Sequence, residues 1–226
     1  MSSTAHDQTT CTTTPLPDRI IPSVPETQRL ISHFLPDFLR LAEPDSAAQM
    51  CLEDCSILPT SEDDHANLIH AQVKSRLGEQ VTVIVAVEPE ALPTQQIAEK
   101  LARALLHAEV TYGFPVLLSV IYLSGGRTGL HLESAQIGTF GDVEYVRMYF
   151  TTWGLSQSHA EYYLRRPEPL AWALTPYMRS TSQTQQELLE ASRARIHEAQ
   201  LSDDLRTAFL RFLSPDLHEL NEEVAQ

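Results

Sequence analysis

Apolar positions begin to repeat at residues 27–41, where Leu30, Ile31, Phe34, Leu35, Phe38 and Leu39 fall at helical spacing. Pro36 either opens a second helical segment or kinks the first, since proline lacks the amide hydrogen that an inner turn needs. Residues 56–66 are polar and predict a loop. Residues 68–73 predict a short strand with Ile69, Ala71 and Val73 on one face, and Gly78 marks the turn after it. Residues 81–87, Val-Thr-Val-Ile-Val-Ala-Val, are β-branched and apolar on both faces, as in a strand covered on both sides. Glu88-Pro89-Glu90 is expected to end that strand, because proline cannot donate to the ladder.

Residues 94–112 predict a helix with Ile97, Leu101, Ala104, Leu105 and Ala108 on one stripe, Thr94 as its N-cap and Gly113 as its stop. Residues 115–123, Pro-Val-Leu-Leu-Ser-Val-Ile-Tyr-Leu, predict a second inner strand. Ser124-Gly125-Gly126 follows as a loop, and residues 143–150 alternate as a further strand. Ser158-x-x-Glu161 has the form of a capping box opening a short helix through Arg165. Beyond Pro167 the pattern predicts helices over 168–179, 182–199 and 202–213. The last opens on Ser202, with Asp203 and Asp204 in its first turn, where the helix dipole favours acids. Two inner strands separated by one helix form a β-α-β unit, which calls for parallel strands under helical cover. The expected class is α/β. Residues 1–26, rich in Ser, Thr and Pro, read as a tail.

Composition narrows the partners more than the fold. The chain has 226 residues, 42% of them hydrophobic, enough for one domain of ordinary size. Lys and Arg number 16 against 30 Asp and Glu, a net charge of −14. That mean field repels polyphosphates, which excludes a general nucleic-acid coat and leaves room only for a local basic groove. No apolar run approaches the about 20 residues a membrane helix needs, and the opening residues lack the apolar stretch of a signal peptide. The expected location is cytoplasmic, with no membrane partner. Cys11, Cys51 and Cys55 are an odd set without C-x-x-C spacing and read as reduced thiols. His65 and His70 lie near Glu62-Asp63-Asp64, but without H-x-x-x-H or H-E-x-x-H spacing they read as solvated or partly buried side chains. Gly125-Gly126 and Gly129 lack the helix start of a phosphate loop, and no G-x-S-x-G elbow occurs.

The segments nevertheless have a specific order. FLPDFLRLAEPDSAA (34–48) precedes the strand, turn and strand of 68–87. Then come YGFPV (112–116), VLLSVIYLSGGRTGL (116–130), YVRMYF (145–150) and EYYLRRPEPLAWALTPYMR (161–179). This series resembles the recombination-promoting nuclease family, also labelled a transposase family, whose members look like PD-(D/E)XK nucleases of restriction-endonuclease-like fold. The resemblance covers about residues 29–180 and implies there a nuclease-like core with a mixed sheet flanked by helices; on the pattern of residues, 1–28 is then a flexible tail and 181–226 an α-helical extension.

It also implies a chemistry, metal-dependent phosphodiester hydrolysis, in which acidic oxygens on adjacent strands hold Mg²⁺ against the scissile phosphate. In the family pattern an Asp precedes the short strand and the next strand ends in Glu-x-Gln. The glutamate binds metal, and the glutamine replaces the lysine that polarises the attacking water in other members of the fold. Here the Asp position falls on Asn67, the Glu position on Ala86 and the Gln position on Glu88. Asn67 keeps one oxygen without the charge, and Ala86 has no ligand atom. Lys100 falls where the family often has a basic residue, and the bland reading makes it a surface lysine. Lys74 and Arg76, flanking the turn, are with Lys100 the candidate nucleic-acid contacts.

Three functions follow. The first is a catalytically impaired nuclease-fold protein that serves as a binding or regulatory partner, touches DNA weakly and needs no cofactor. The second is an active, divergent DNA endonuclease, a phosphodiester hydrolase with Mg²⁺ held by a migrated site of Asp64 and Glu88. Glu88 shares the strand face of position 86 but lies about 6–7 Å further on. In that reading Glu90 takes the polarising position; otherwise Glu88, Glu90 and the acids of 62–64 are solvated loop residues. The third is a structural module in which Leu205, Phe209, Phe212 and Leu213 pack on the core or on a second copy as a homodimer.

Overall fold

Ser23 starts the first helix by accepting a hydrogen bond from the Glu26 amide on its hydroxyl. Helix α1 (Val24–His33) ends at Phe34, and α2 (Leu35–Ala42) begins at once with Pro36 in its first turn. Of the two options for Pro36, the second helix is the one formed, since an unbonded first-turn amide suits proline. Val24, Pro25 and Glu26 are helical, so the expected tail ends earlier than residue 26. The computed structural model describes residues 20–59, 67–113, 115–140 and 143–213.

After α3 (Pro44–Ala47), the strand β1 (Met50–Ile57) takes in Ser56 and Ile57, which polarity assigned to a loop. It lies at a sheet edge and is largely exposed, so it shows little apolar alternation. Residues 60–66, including Asp63 and Asp64, lie outside the described residues. Strands β2 (Leu68–Ser75) and β3 (Gln80–Glu90) pair antiparallel across the Gly78 turn, where φ is +87°. Glu88-Pro89-Glu90 does not end β3: Glu88 pairs with Tyr122 and Glu90 with Ser124 on β4 (Val116–Ser124). The Val87 amide reaches the Asn67 carbonyl at 2.9 Å. By alternation Pro89 faces the same side, beyond the described start of β2, so its missing amide breaks no ladder bond among the described residues.

Helix α4 (Thr94–Tyr112) crosses between β3 and β4, which run parallel. Its N-cap is Pro93, not Thr94, whose hydroxyl is used elsewhere. The strand β5 (Gly129–Phe140) was not expected; it pairs antiparallel with β6 (Val143–Gly154), which is parallel to β4. The sheet has six strands in the order β1-β2-β3-β4-β6-β5. Four helices follow: α5 (Ala160–Tyr163), α6 (Pro169–Leu174) with a 3₁₀ turn after it, α7 (Gln185–Glu198) and α8 (Asp203–Phe212). None of the helices among the described residues is long and apolar enough to cross a membrane.

One face of the sheet lies under α4, where Ile97, Leu101 and Ala108 bury Ile84, Val120 and Phe150. The other face carries Val83, Val85 and Ile121 beneath α1, α2 and the C-terminal helices. Leu188, Ile196, Phe209 and Phe212 of α7 and α8 belong to this second core, and the Phe209 ring sits 4.0 Å from that of Phe34. The result is an α/β protein with a mixed sheet flanked by helices. Cys51 and Cys55 are free and half-buried, and burial pushes the Cys55 thiol up.

Ser158 and Glu161 do not form the expected capping box. Ser158 lies between the Trp153 indole, which donates to it at 2.9 Å, and the Gly154 carbonyl, to which it donates at 2.9 Å. The capping box occurs instead at Thr184 and Glu187, opening α7. Glu161 binds the segment ahead of it, accepting from Ser180 Oγ at 2.7 Å and from the Thr181 amide at 2.9 Å. The Ser180 hydroxyl, then the backbone donors, hold its carboxyl down at about 2, against an ordinary 4.5. A depressed folded pKa stabilises above the unfolded value and is lost as pH falls through the folded one. The Thr181 amide resonance is therefore expected to titrate near pH 2, and in Glu161→Gln that titration disappears. A midpoint at the ordinary glutamate value would count against the Glu161 anchor.

Candidate functional site at the carboxyl ends of the inner strands

Asn67 and Ala86, which the sequence resemblance pairs, are neighbours. Leu68 is in register with Ala86, and the Asn67 carbonyl accepts the Val87 amide. Asn67 is half-buried. Ala86 is fully buried at 0% exposure and packs in the apolar layer under α4 with Leu68 and Ile84.

One step further, Glu88, Tyr122, Gly154 and Gly129 stand in register across β3, β4, β6 and β5. This row lies at the carboxyl ends of the three parallel strands, where open α/β sheets hold their ligands. Gly154 is required there by close approach, since a Cβ would meet the Arg127 carbonyl at 2.5 Å. Glu88 is not a solvated loop acid: it is 5% exposed, and Lys100 of α4 forms an ion pair with its Oε1. Lys100 is correspondingly not a free surface lysine. Its ammonium points into the sheet instead of toward a nucleic acid.

Glu133, Thr152 and Tyr122, which motif matching did not single out, complete the cluster. Glu133 of β5 accepts from Thr94 Oγ1 at 2.7 Å and from Thr152 Oγ1 at 3.1 Å. Tyr122 is 4% exposed. Burial first, then the charges of Glu133 and Glu88, push its phenol up to about 12, so it stays protonated as a donor. Alternation along β5 would have misplaced Glu133, since it turns Leu132 inward whereas Leu132 is 73% exposed and Glu133 faces Thr94 and Thr152. Tyr122 was legible only as the polar tip within an apolar strand.

The described residues do not fit a Mg²⁺ ion. That hard cation takes several oxygen ligands and favours carboxylates. Here an amide stands at 67, a methyl at 86, the carboxylate at 88 is already paired with an ammonium, and Glu133 is engaged by the Thr94 and Thr152 hydroxyls. No group of three or more His, Cys, Asp or Glu able to hold a metal occurs among the described residues. Glu90 is exposed at the end of β3, and Asp64 lies outside the described residues. Lys74 and Arg76 do not join the site. They are exposed at the far end of β2, where Lys74 pairs with Gln80, about 20 Å along the strand from Asn67.

By fold and site the molecule is a mixed-sheet α/β protein with a polar cluster, the Glu88–Lys100 ion pair beside Glu133 and Tyr122, at the carboxyl ends of its inner strands. No family model, curated protein or solved structure matches the chain.

Proposed function

We propose that this chain is a nuclease-fold protein of restriction-endonuclease-like class, related to the recombination-promoting nucleases, which has lost hydrolysis and acts as a binding or regulatory partner. The sheet supports the reading: three antiparallel strands, a crossover helix and a parallel fourth strand bring positions 67, 86 and 88 to one place. The observation that carries it is the substitution of the reactive set as a group. The metal-binding carboxylate position is a buried methyl, its partner is an amide, and the next carboxylate on that face is occupied by Lys100.

Supercoiled and linear DNA incubated with Mg²⁺ and then Mn²⁺ is expected to remain intact. Titration of either metal into the protein is expected to release no binding heat. Cutting that is present in the native chain and lost in Glu88→Ala would establish the migrated site of Asp64 and Glu88 and refute this reading. With Lys100 engaged and Lys74 and Arg76 distant, duplex binding is expected to be weak at physiological salt.

A further inference from the structure

The two edges of the sheet are built differently. At one edge, β1 carries exposed Glu53 and Asp54, and its ladder with β2 shifts register between Cys51 and Ser56. Charge and irregularity of that kind keep a strand edge from pairing with another chain. At the other edge, β5 lacks these guards. It is 12 residues long, holds no proline, lysine or arginine, and keeps one register with β6 throughout. Its one acid, Glu133, is turned toward Thr94 and Thr152.

Two contacts fix which backbone groups of β5 face outward. Thr152 Oγ1 donates to the His131 carbonyl at 3.4 Å, so the odd positions bond to β6. Gln95 Nε2 reaches the Gln136 carbonyl at 3.4 Å from outside the ladder. Alternation then turns the amides and carbonyls of Leu132 and Ser134 to the open edge. The sheet face beside that edge is apolar. On the side that carries buried Trp153, Leu132 is 73% and Tyr149 56% exposed. Tyr149 pairs with Ser134, two residues from Leu132, so the two side chains are diagonal neighbours.

The charge pattern selects the occupant. The chain bears a net charge of −14, so two copies repel in their mean field and meet best along a surface without unpaired acids. β5 supplies such a surface, and antiparallel pairing is two-fold, so the strand can serve as its own complement. Centred on Leu132, the pairing sets Leu132 against Leu132, Leu130 against Ser134, and His131 of each copy opposite Glu133 of the other. Centring it on Glu133 would bring two carboxylates face to face, and centring it on Ser134 would leave Leu132 beside Gln136.

We propose that β5 is the docking edge for a second copy of this chain, joining two six-stranded sheets into one continuous sheet about a two-fold axis at Leu132. The proposal does not rest on the reading of Asn67, Ala86 and Glu88 and stands or falls separately. The test is sedimentation velocity of the full chain from about 1 µM to about 0.5 mM, a span that covers the weak affinities of a narrow interface. A monomer–dimer equilibrium is expected, and it should tighten as salt rises from about 0.05 M to about 0.5 M, because screening relieves the repulsion between two acidic chains. Leu132→Lys sets like charges face to face and is expected to weaken the dimer at least about tenfold. Ser134→Pro removes an outward amide without touching the β6 ladder and is expected to do the same. Val110→Lys, on α4 at 89% exposure, is expected to leave the dimer unchanged. Positions 132 and 134 face outward, so the variants are expected to melt like the native chain. A monomer at every concentration overturns the proposal. So does a dimer that survives either β5 substitution in a folded chain, or one that dissociates in Val110→Lys.

Discussion

Glu88→Ala is expected to lower the unfolding free energy by about 3 kcal/mol, because it strands the Lys100 ammonium against the sheet. Glu88 and Lys100 have side-chain exposures of 6% and 19%, so water cannot replace the lost partner well. Lys100→Met is expected to cost about as much, since it leaves an uncompensated carboxylate at a nearly closed position. The double variant Glu88→Ala with Lys100→Met is expected to cost much less than the sum of the two single substitutions, because it removes both desolvation costs together. Urea unfolding with unchanged slope reads all three values. If each single substitution is neutral, the pair is solvated, and the argument that Lys100 occupies Glu88 fails. A cycle with strong coupling shows that the carboxylate is committed to this ammonium in the folded chain.

Trp153→Ala is expected to cost about 4 kcal/mol, in the range for emptying a large buried aromatic position. Trp153 is at 0% exposure on the face opposite α4. Its ring stacks on Tyr163 at 5.3 Å and lies 6.3 Å from Phe38, tying β6 to α5 and α2. Truncation removes that area and leaves a cavity among three elements. For a chain of this length the melting temperature should fall by about 8–16 °C. Trp153→Phe is expected to cost only about 1–2 kcal/mol, mostly the indole hydrogen bond to Ser158. Ser158 keeps its own bond to the Gly154 carbonyl. Equal losses in the two variants would mean that the hydrogen bond, not the packing, secures this junction.

The inner elements were legible because burial leaves a periodic record. β3 and β4 are apolar on both faces since helices cover both, and the stripe of α4 faces Ile84 and Val120 as its spacing implied. The edges left less trace. β1 carries Glu53, Asp54 and Ser56 in exposed positions, and β5 exposes Leu132 at 73%, so neither shows a clean apolar face. Pro89 misled for a definite reason: its cost depends on whether a partner strand lies beside it, and among the described residues the β2 ladder stops at Leu68 opposite Ala86. Ser158 and Glu161 matched a capping box locally, but Trp153 and Ser180 offered each a better partner.

The sequence by itself determined the α/β class, the parallel pair of inner strands and the absence of ligand chemistry at Ala86. Those properties follow from the identity of single residues and from periods of two and 3.6. Tertiary structure alone decided that Glu88 faces Lys100, that Glu133 and Tyr122 join the same row, and that Lys74 and Arg76 stand apart. Such pairings depend on strand register and on how α4 lies over the sheet, and Coulomb and hydrogen-bond energies act through those distances, which no local pattern records.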